Sequence, residues 1–181
     1  MADGRLVPMT VPTWQPTSPR PEWFAHDAYG IHGLAHERRV RVHAMAIAEA
    51  LGADDRILRV MDRASAWHDI GRRHDGVDAA HGELSVRRVD GLGLADGEPS
   101  DLLDLESFVI RYHAMDDRLG LDAAAGQPDP AAAELALKIF KDADGLDRVR
   151  IHDLDVEHLR FGVSRAREEE AWRMLEEDQD S

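Results

Sequence analysis

Cysteine is absent from the chain. Disulfides, thiolate metal sites and cysteine nucleophiles are therefore excluded. Any metal must be held by His, Asp and Glu, donors that favour Mn, Fe, Co, Ni, Mg or Zn over thiophilic centres. No apolar run approaches the roughly 18 to 20 residues that span a bilayer, and the start of the chain lacks the basic-then-apolar pattern of a secretory leader. The expectation is a soluble, cytoplasmic protein with no membrane partner. Positive charge is also in deficit, with 22 Lys and Arg against 36 Asp and Glu and a formal net charge of -14. Such a surface repels phosphate backbones, so duplex nucleic acid is not an expected partner. A small phosphorylated substrate stays possible, because a local patch of metal and arginine can override the global field.

What is present is enough for one domain. The chain has 181 residues, of which 43% are hydrophobic and 32% charged, which suits a single core under a soluble surface. Five of the eight prolines, Pro8, Pro12, Pro16, Pro19 and Pro21, lie in the first 21 residues. Residues 1–25 therefore read as an extended arm and 26–181 as the domain. Trp14, Trp23 and Phe24 are suited to pin the arm down.

Beyond Leu34 the pattern is helical. Val40, Ala44, Ile47 and Leu51 recur at three- and four-residue steps, and Gly52 ends that run. Asp54 is placed to cap a second helix carrying Ile57, Met61, Ala64 and Trp67, broken by Gly71 and Gly76. A shorter helix is expected near Asp78 to Val89, and another capped by Ser100 with Leu102, Leu105, Val109 and Tyr112 inward. A polar loop should run from Asp117 to Pro130, followed by helix from about Ala131 through Phe140, extendable towards Arg148, and a last helix from Ser164 to Glu177. Nothing alternates convincingly as a strand. The fold class is an all-α bundle of about six helices.

Ten histidines carry the chemical signal. His36 precedes Val40 by one turn, His68 continues the stripe of Ile57, Met61 and Ala64, and His113 continues that of Leu102, Glu106 and Val109. Three helices thus deliver imidazole to the interior. Each buried ring needs partners for both nitrogens, and metal coordination with balancing carboxylates supplies them. Adjacent residues on a helix diverge by about 100°, so His68 and Asp69 can grip one ion only where the helix end is loosened, which Gly71 permits.

His36-Glu37-Arg38-Arg39-Val40, then His68-Asp69-Ile70-Gly71-Arg72, then Lys141-Asp142-Ala143-Asp144-Gly145-Leu146-Asp147 resembles the His…His-Asp…Asp order of the HD superfamily of metal-dependent phosphohydrolases. His81 within Asp78-Ala79-Ala80-His81-Gly82, and His113 within Arg111-Tyr112-His113, resemble the six-ligand, two-metal variant found in bacterial stand-alone HD proteins. The likeness runs from about His32 to Arg150. It implies one divalent ion on His36, His68, Asp69 and Asp144, and a second that shares Asp69 and takes His81 and His113. The family's Ala-Asp-x-Leu context favours Asp144 as the last ligand, whereas helix phase does not separate it from Asp142.

The implied activity is hydrolysis of a small phosphorylated metabolite or nucleotide by metal-activated water, with one or two ions. Asp69 bridges, and Arg72 and Lys141 are the candidates for gripping phosphate; ordinary surface charge is the plain alternative for both. His32 would sit behind a ligand or bind outermost, and His43 would support from further back. Asp75 and Asp78 would hold the turn before His81. Asp116 and Asp117 would relay protons or be simple loop acids. Substrate choice is expected in the arm and in the loops near Gly91 to Pro99 and Asp117 to Pro130. Two other functions share this ligand set: an HD-type di-iron oxygenase, with Tyr29 and His32 as lid residues, and a non-catalytic regulatory domain that keeps metal for structure.

Overall fold

The computed structural model describes residues 14–179, and among these every regular element is helical. The α-helices are α1 Leu34–Ala50, α2 Asp55–Trp67, α3 His81–Gly91, α4 Ser100–Tyr112, α5 Asp117–Ala124, α6 Pro130–Leu146, α7 Gly162–Arg165 and α8 Glu168–Gln179. Short 3-10 turns occupy Pro21–Trp23, Asp147–Ile151 and Val156–His158. The architecture is the expected all-α bundle, with eight α-helices among the described residues instead of about six. None of these helices is long and apolar enough to cross a membrane.

Local chemistry explains the long elements. Gly52 takes the left-handed conformation at φ 69°, which side chains with a Cβ resist, so α1 stops and the chain reverses. Asp54 accepts a hydrogen bond from Ile57 N at 2.9 Å and starts α2, as its position predicts. Asp129 does the same for Ala132 N at 3.1 Å, with Pro130 opening α6. Helix α1 packs on α2 and α6, and α4 packs on α2, α3 and α6. Val40, Ile47, Met61, Phe108, Leu137 and Phe140 seal the centre.

Four local expectations need correction. Residues 117–124 form α5 where a loop was expected. Asp116 caps it by accepting from Arg118 N at 2.9 Å, and Gly120 lies so close to α6 that a Cβ there would stand 2.7 Å from a Leu137 methyl. Tertiary packing, invisible to periodicity, stabilises this turn of helix. Ser100 is the first residue of α4 and makes no cap bond, because Pro99 takes the cap position. Helix α3 begins at His81, since Asp78 is used in the turn before it. The C-terminal helix is interrupted between Arg165 and Glu168.

Of the proline-rich arm, 1–13 lies outside the described residues. Trp14, Trp23 and Phe24 pack against the core as expected. Polar contacts add to this hold. Thr17 N donates to the buried Asp62 carboxylate at 2.8 Å, and Ala25 N donates to Ile70 O at 2.8 Å. Trp23 meets Trp67 edge to face at 6.3 Å.

Candidate metal centre

The interior ends of α1, α2, α3, α4 and α6 bring the candidate ligands together. Helix α2 finishes at Trp67, and His68 and Asp69 follow in a bend. His68 keeps helical backbone angles and its N–H still bonds Ala64 O, so the helical rotation of about 100° per residue is released only beyond it, at the bend that carries Asp69 to the cluster. Gly71 then lets the chain cross α3: its N–H donates to Ser85 Oγ at 2.9 Å, and a Cβ would stand 2.2 Å from Ser85 N. Gly82 plays the matching role between α3 and α4, where a Cβ would lie 2.6 Å from Ile110 O. That approach sets His81, at the start of α3, against His113, at the end of α4.

Four imidazoles are anchored alike. His36 Nδ1 lies 2.6 Å from Asp147 Oδ2 and His81 Nδ1 lies 2.5 Å from Asp78 O. His113 Nδ1 lies 2.7 Å from Ile110 O, and His68 Nδ1 lies 3.3 Å from Ser65 O. Each partner can only accept, so each Nδ1 carries the hydrogen, and in the neutral ring Nε2 keeps its lone pair. The lone pairs then face each other in two pairs, His36 to His68 at 3.0 Å and His81 to His113 at 2.9 Å. Bare nitrogens this close repel unless a proton or a cation lies between them.

Asp69 lies between the two pairs. Its Oδ2 is 3.5 Å from His36 Nε2 and 3.7 Å from His68 Nε2, while Oδ1 is 3.2 Å from His81 Nε2 and 3.8 Å from His113 Nε2. Asp144 Oδ1 closes the first group at 3.5 Å from His36 Nε2. Although buried, Asp69 Oδ1 accepts no hydrogen bond; the Arg72 guanidinium offsets its charge, and a bound cation would add the partner it lacks. Donor atoms bonded at about 2.1 Å and about 90 to 110° apart lie roughly 3.0 to 3.4 Å from one another, and the spacings here, 2.9 to 3.8 Å, span that range. His36, His68 and Asp144 form one group able to hold an ion, and His68, Asp69 and His113 another. The residues present therefore fit divalent metal.

Electrostatics agree with ligands held in their metal-ready forms. Burial pulls the pKa of His68 down to about 3 and that of His113 to about 4, keeping both rings neutral. Burial would raise Asp69, but His68, His32 and His36 outweigh it and hold the carboxyl well below its usual range. Asp144 is depressed for similar reasons, burial being overcome by His36, His68 and His113. His36 differs. Burial and Arg150 oppose its charging, yet the bonds to Asp147 and Asp69 prevail and raise its pKa. Proton and cation therefore compete at its Nε2.

All six residues implied as ligands, His36, His68, Asp69, His81, His113 and Asp144, converge. Asp142 does not join them; it accepts from Arg160 N, Phe161 N and the Arg160 guanidinium, on the other side of α6. A cleft of about 1130 Å³ opens over the cluster, with His81, His113 and Asp144 in its wall, ample for a small molecule. A separate cavity of about 100 Å³ near Arg56 and Asp101 contains none of the ligands. Arg72 and Lys141 both line the large cleft. Arg72 Nε is 2.8 Å from Asp69 Oδ1, an ion pair whose angle does not make a hydrogen bond. Lys141 pairs with Asp117 at 2.8 Å and donates to Met115 O.

Segments 72–79, 113–117 and 148–160 supply most of the cleft wall. Of the regions expected to govern substrate choice, only Asp117 takes part; the loop at 91–99 and the described part of the arm do not. Tyr29, expected as a lid residue, is 79% exposed. Asp78 holds the turn before His81 through Ala80 N, as expected. His43 is fully buried, with Arg167 donating to its Nδ1 at 3.2 Å.

Sequence reading missed three residues. Asp147 orients His36 and also receives Arg39 at 2.5 Å. Its signal was a third aspartate at i+3 from Asp144. Arg150 donates to Asp147 O at 3.0 Å and lies 3.1 Å from His32 Nδ1. Glu37 is buried with neither carboxylate oxygen hydrogen-bonded. Burial, with Asp69 next, pushes its pKa well up. Its charge inside the apolar stripe of α1 was the visible clue. Comparison with protein-family models, curated proteins and solved structures yields no match.

Proposed function

We propose that this protein is a metal-dependent phosphohydrolase of the HD type, acting on a small phosphorylated metabolite or nucleotide. The observation that carries the reading is the inward presentation of four anchored imidazoles around the buried Asp69 carboxylate, beneath a cleft bordered by Arg72 and Lys141. His36, His68, Asp69 and Asp144 would hold one ion, and His81, His113 and Asp69 a second. Bound metal would supply a water acidified to near pH 7 and would neutralise charge on a phosphoryl group.

The chain's own residues do the remaining work. Asp147, Ser65, Asp78 and Ile110 fix the ring orientations through Nδ1. Arg72, beside Asp69 Oδ1, presents a planar guanidinium suited to two oxygens of a phosphate. Asp117 keeps Lys141 at the cleft wall, where it can add a point charge. The cleft itself would bring a substrate over the cluster.

The test is a panel of aryl phosphates, sugar phosphates and nucleotides, run with Mn, Co, Ni, Mg, Zn and Fe, with His68→Ala as the blank. Phosphate release by the parent and none by the variant is the expected result. Equal rates would mean that this centre is not the catalyst. Two bound irons with dioxygen consumption and no phosphate release would point to the oxygenase instead.

A further inference from the structure

His32 stands in the turn before α1, its side chain 14% exposed at the cleft wall. It approaches the cluster the opposite way from the four anchored rings. Its Nδ1 faces inward, 3.0 Å from Asp69 Oδ2, and its ring meets that of His36 edge to face at 5.7 Å. The same Nδ1 lies 3.1 Å from Arg150 Nη2. A ring nitrogen offers either a hydrogen or a lone pair. With the hydrogen, Nδ1 satisfies Asp69 but points at a guanidinium that can only donate. Bare, it accepts from Arg150 but opposes a carboxylate oxygen. Neither form satisfies both neighbours.

A cation shared with Asp69 would use the Nδ1 lone pair and meet the carboxylate, leaving Arg150 to its other acceptors. His32, His36 and Asp69 each offer one donor atom within 4.8 Å of the others, and Asp69 Oδ2 is 3.0 Å from His32 Nδ1 and 3.5 Å from His36 Nε2. Arg150 keeps its place without His32, since its Nε donates to Ile31 O at 2.8 Å and its Nη1 to Asp147 O at 3.0 Å.

We propose that His32 is a further metal ligand, through Nδ1, and that it makes the His36 side of the cluster a nitrogen-rich site selective for a transition ion over Mg2+. The proposal rests on the metal-centre reading above. With His32, the donors on that side become three imidazoles, His32, His36 and His68, with the carboxylates of Asp69 and Asp144. Imidazole suits Fe, Co, Ni and Zn, whereas Mg2+ prefers carboxylate, carbonyl and water.

Cobalt(II) is the probe, titrated into the full chain with and without excess Mg2+ and followed by visible absorption and calorimetry. The parent should bind Co2+ despite Mg2+. His32→Ala should change the visible band, weaken binding by more than the roughly 10- to 100-fold lost with an outer hydrogen-bond partner, and narrow the preference over Mg2+, which His36 and His68 still support. Added imidazole should restore the band. His32→Gln keeps a donor for Asp69 but offers no ring nitrogen, so it should behave like the alanine variant. A His32→Ala spectrum superimposable on the parent's overturns the proposal, as does parental affinity in His32→Gln, which would reduce His32 to a partner of Asp69. If the parent takes up no cobalt, the metal-centre reading falls and this proposal with it. Circular dichroism checks that both variants keep the parental helix content.

Discussion

Asp147 joins the bundle's stability to its chemistry, so replacing it should damage both. The carboxylate is fully buried and meets His36 Nδ1 at 2.6 Å, Arg39 Nε at 2.5 Å and Arg39 Nη2 at 3.1 Å. Asp147→Ala would leave the nearly buried Arg39 with Asp178 as its remaining ion partner and His36 with no acceptor. Removing one partner of a buried ion pair costs about 3 to 5 kcal/mol, a large share of the roughly 5 to 15 kcal/mol that holds a domain folded. Loss of the hydrogen bond behind a ligand imidazole costs about 10- to 100-fold in metal affinity, or roughly 1.4 to 2.7 kcal/mol. Asp147→Asn keeps an oxygen for His36 while removing the charge from Arg39, so it should lose stability but retain more of the affinity. Urea unfolding by circular dichroism, in chelator, isolates the folding effect, and calorimetric titration with Mn2+ or Zn2+ of the folded protein isolates the other. An alanine variant within about 1 kcal/mol of the parent, binding metal with parental affinity, would refute the reasoning.

Three further outcomes are expected. Glu37→Leu should stabilise the metal-free protein by about 1 to 3 kcal/mol, because it removes a buried carboxyl with no hydrogen-bond partner; a lower urea midpoint would contradict this. Gly82→Ala should destabilise by about 1 to 3 kcal/mol as its Cβ forces α3 away from Ile110 O, and it should weaken metal binding by separating His81 from His113, a coupling that an unchanged titration would disprove. The metal-free protein should lose stability as pH falls from about 6.5 towards 4, because His68, His113 and His43 have folded pKa values near 3, 4 and 4. The unfolded chain takes up protons there that the folded one refuses, and the raised pKa values of His36 and Glu37 offset only part of the loss. A urea midpoint that is flat or rises on acidification across that range would be inconsistent with these burials.

Linear pattern was sufficient for whatever depends on near neighbours. The three- and four-residue recurrence of Val40, Ala44 and Ile47 and the cap at Asp54 specify α1 and α2, because helix phase and capping act within a turn or two. The same phase turns His36 inward, and the glycine after His68-Asp69 marks where the helix lets go. Residues 117–124 were beyond such reading, since their helix depends on Gly120 fitting against Leu137.

Asp142 and Asp144 show where pattern stops and tertiary structure decides. Both lie on α6, and helix phase could not separate them. The return of the chain at Arg160 and Phe161 supplies backbone donors to Asp142, leaving Asp144 to face the imidazoles. Asp147 and Arg150 were likewise hidden, because each works across more than a hundred residues of chain, as was the double contact of His32, which spans 37 residues to Asp69 and 118 to Arg150. Sequence alone determined α1, α2 and α6 and the inward turn of His36, His68 and His113, since those follow from periodicity and capping. Only the folded chain decided which nitrogen of each ring carries its hydrogen, because that is set by whichever acceptor packing places behind it.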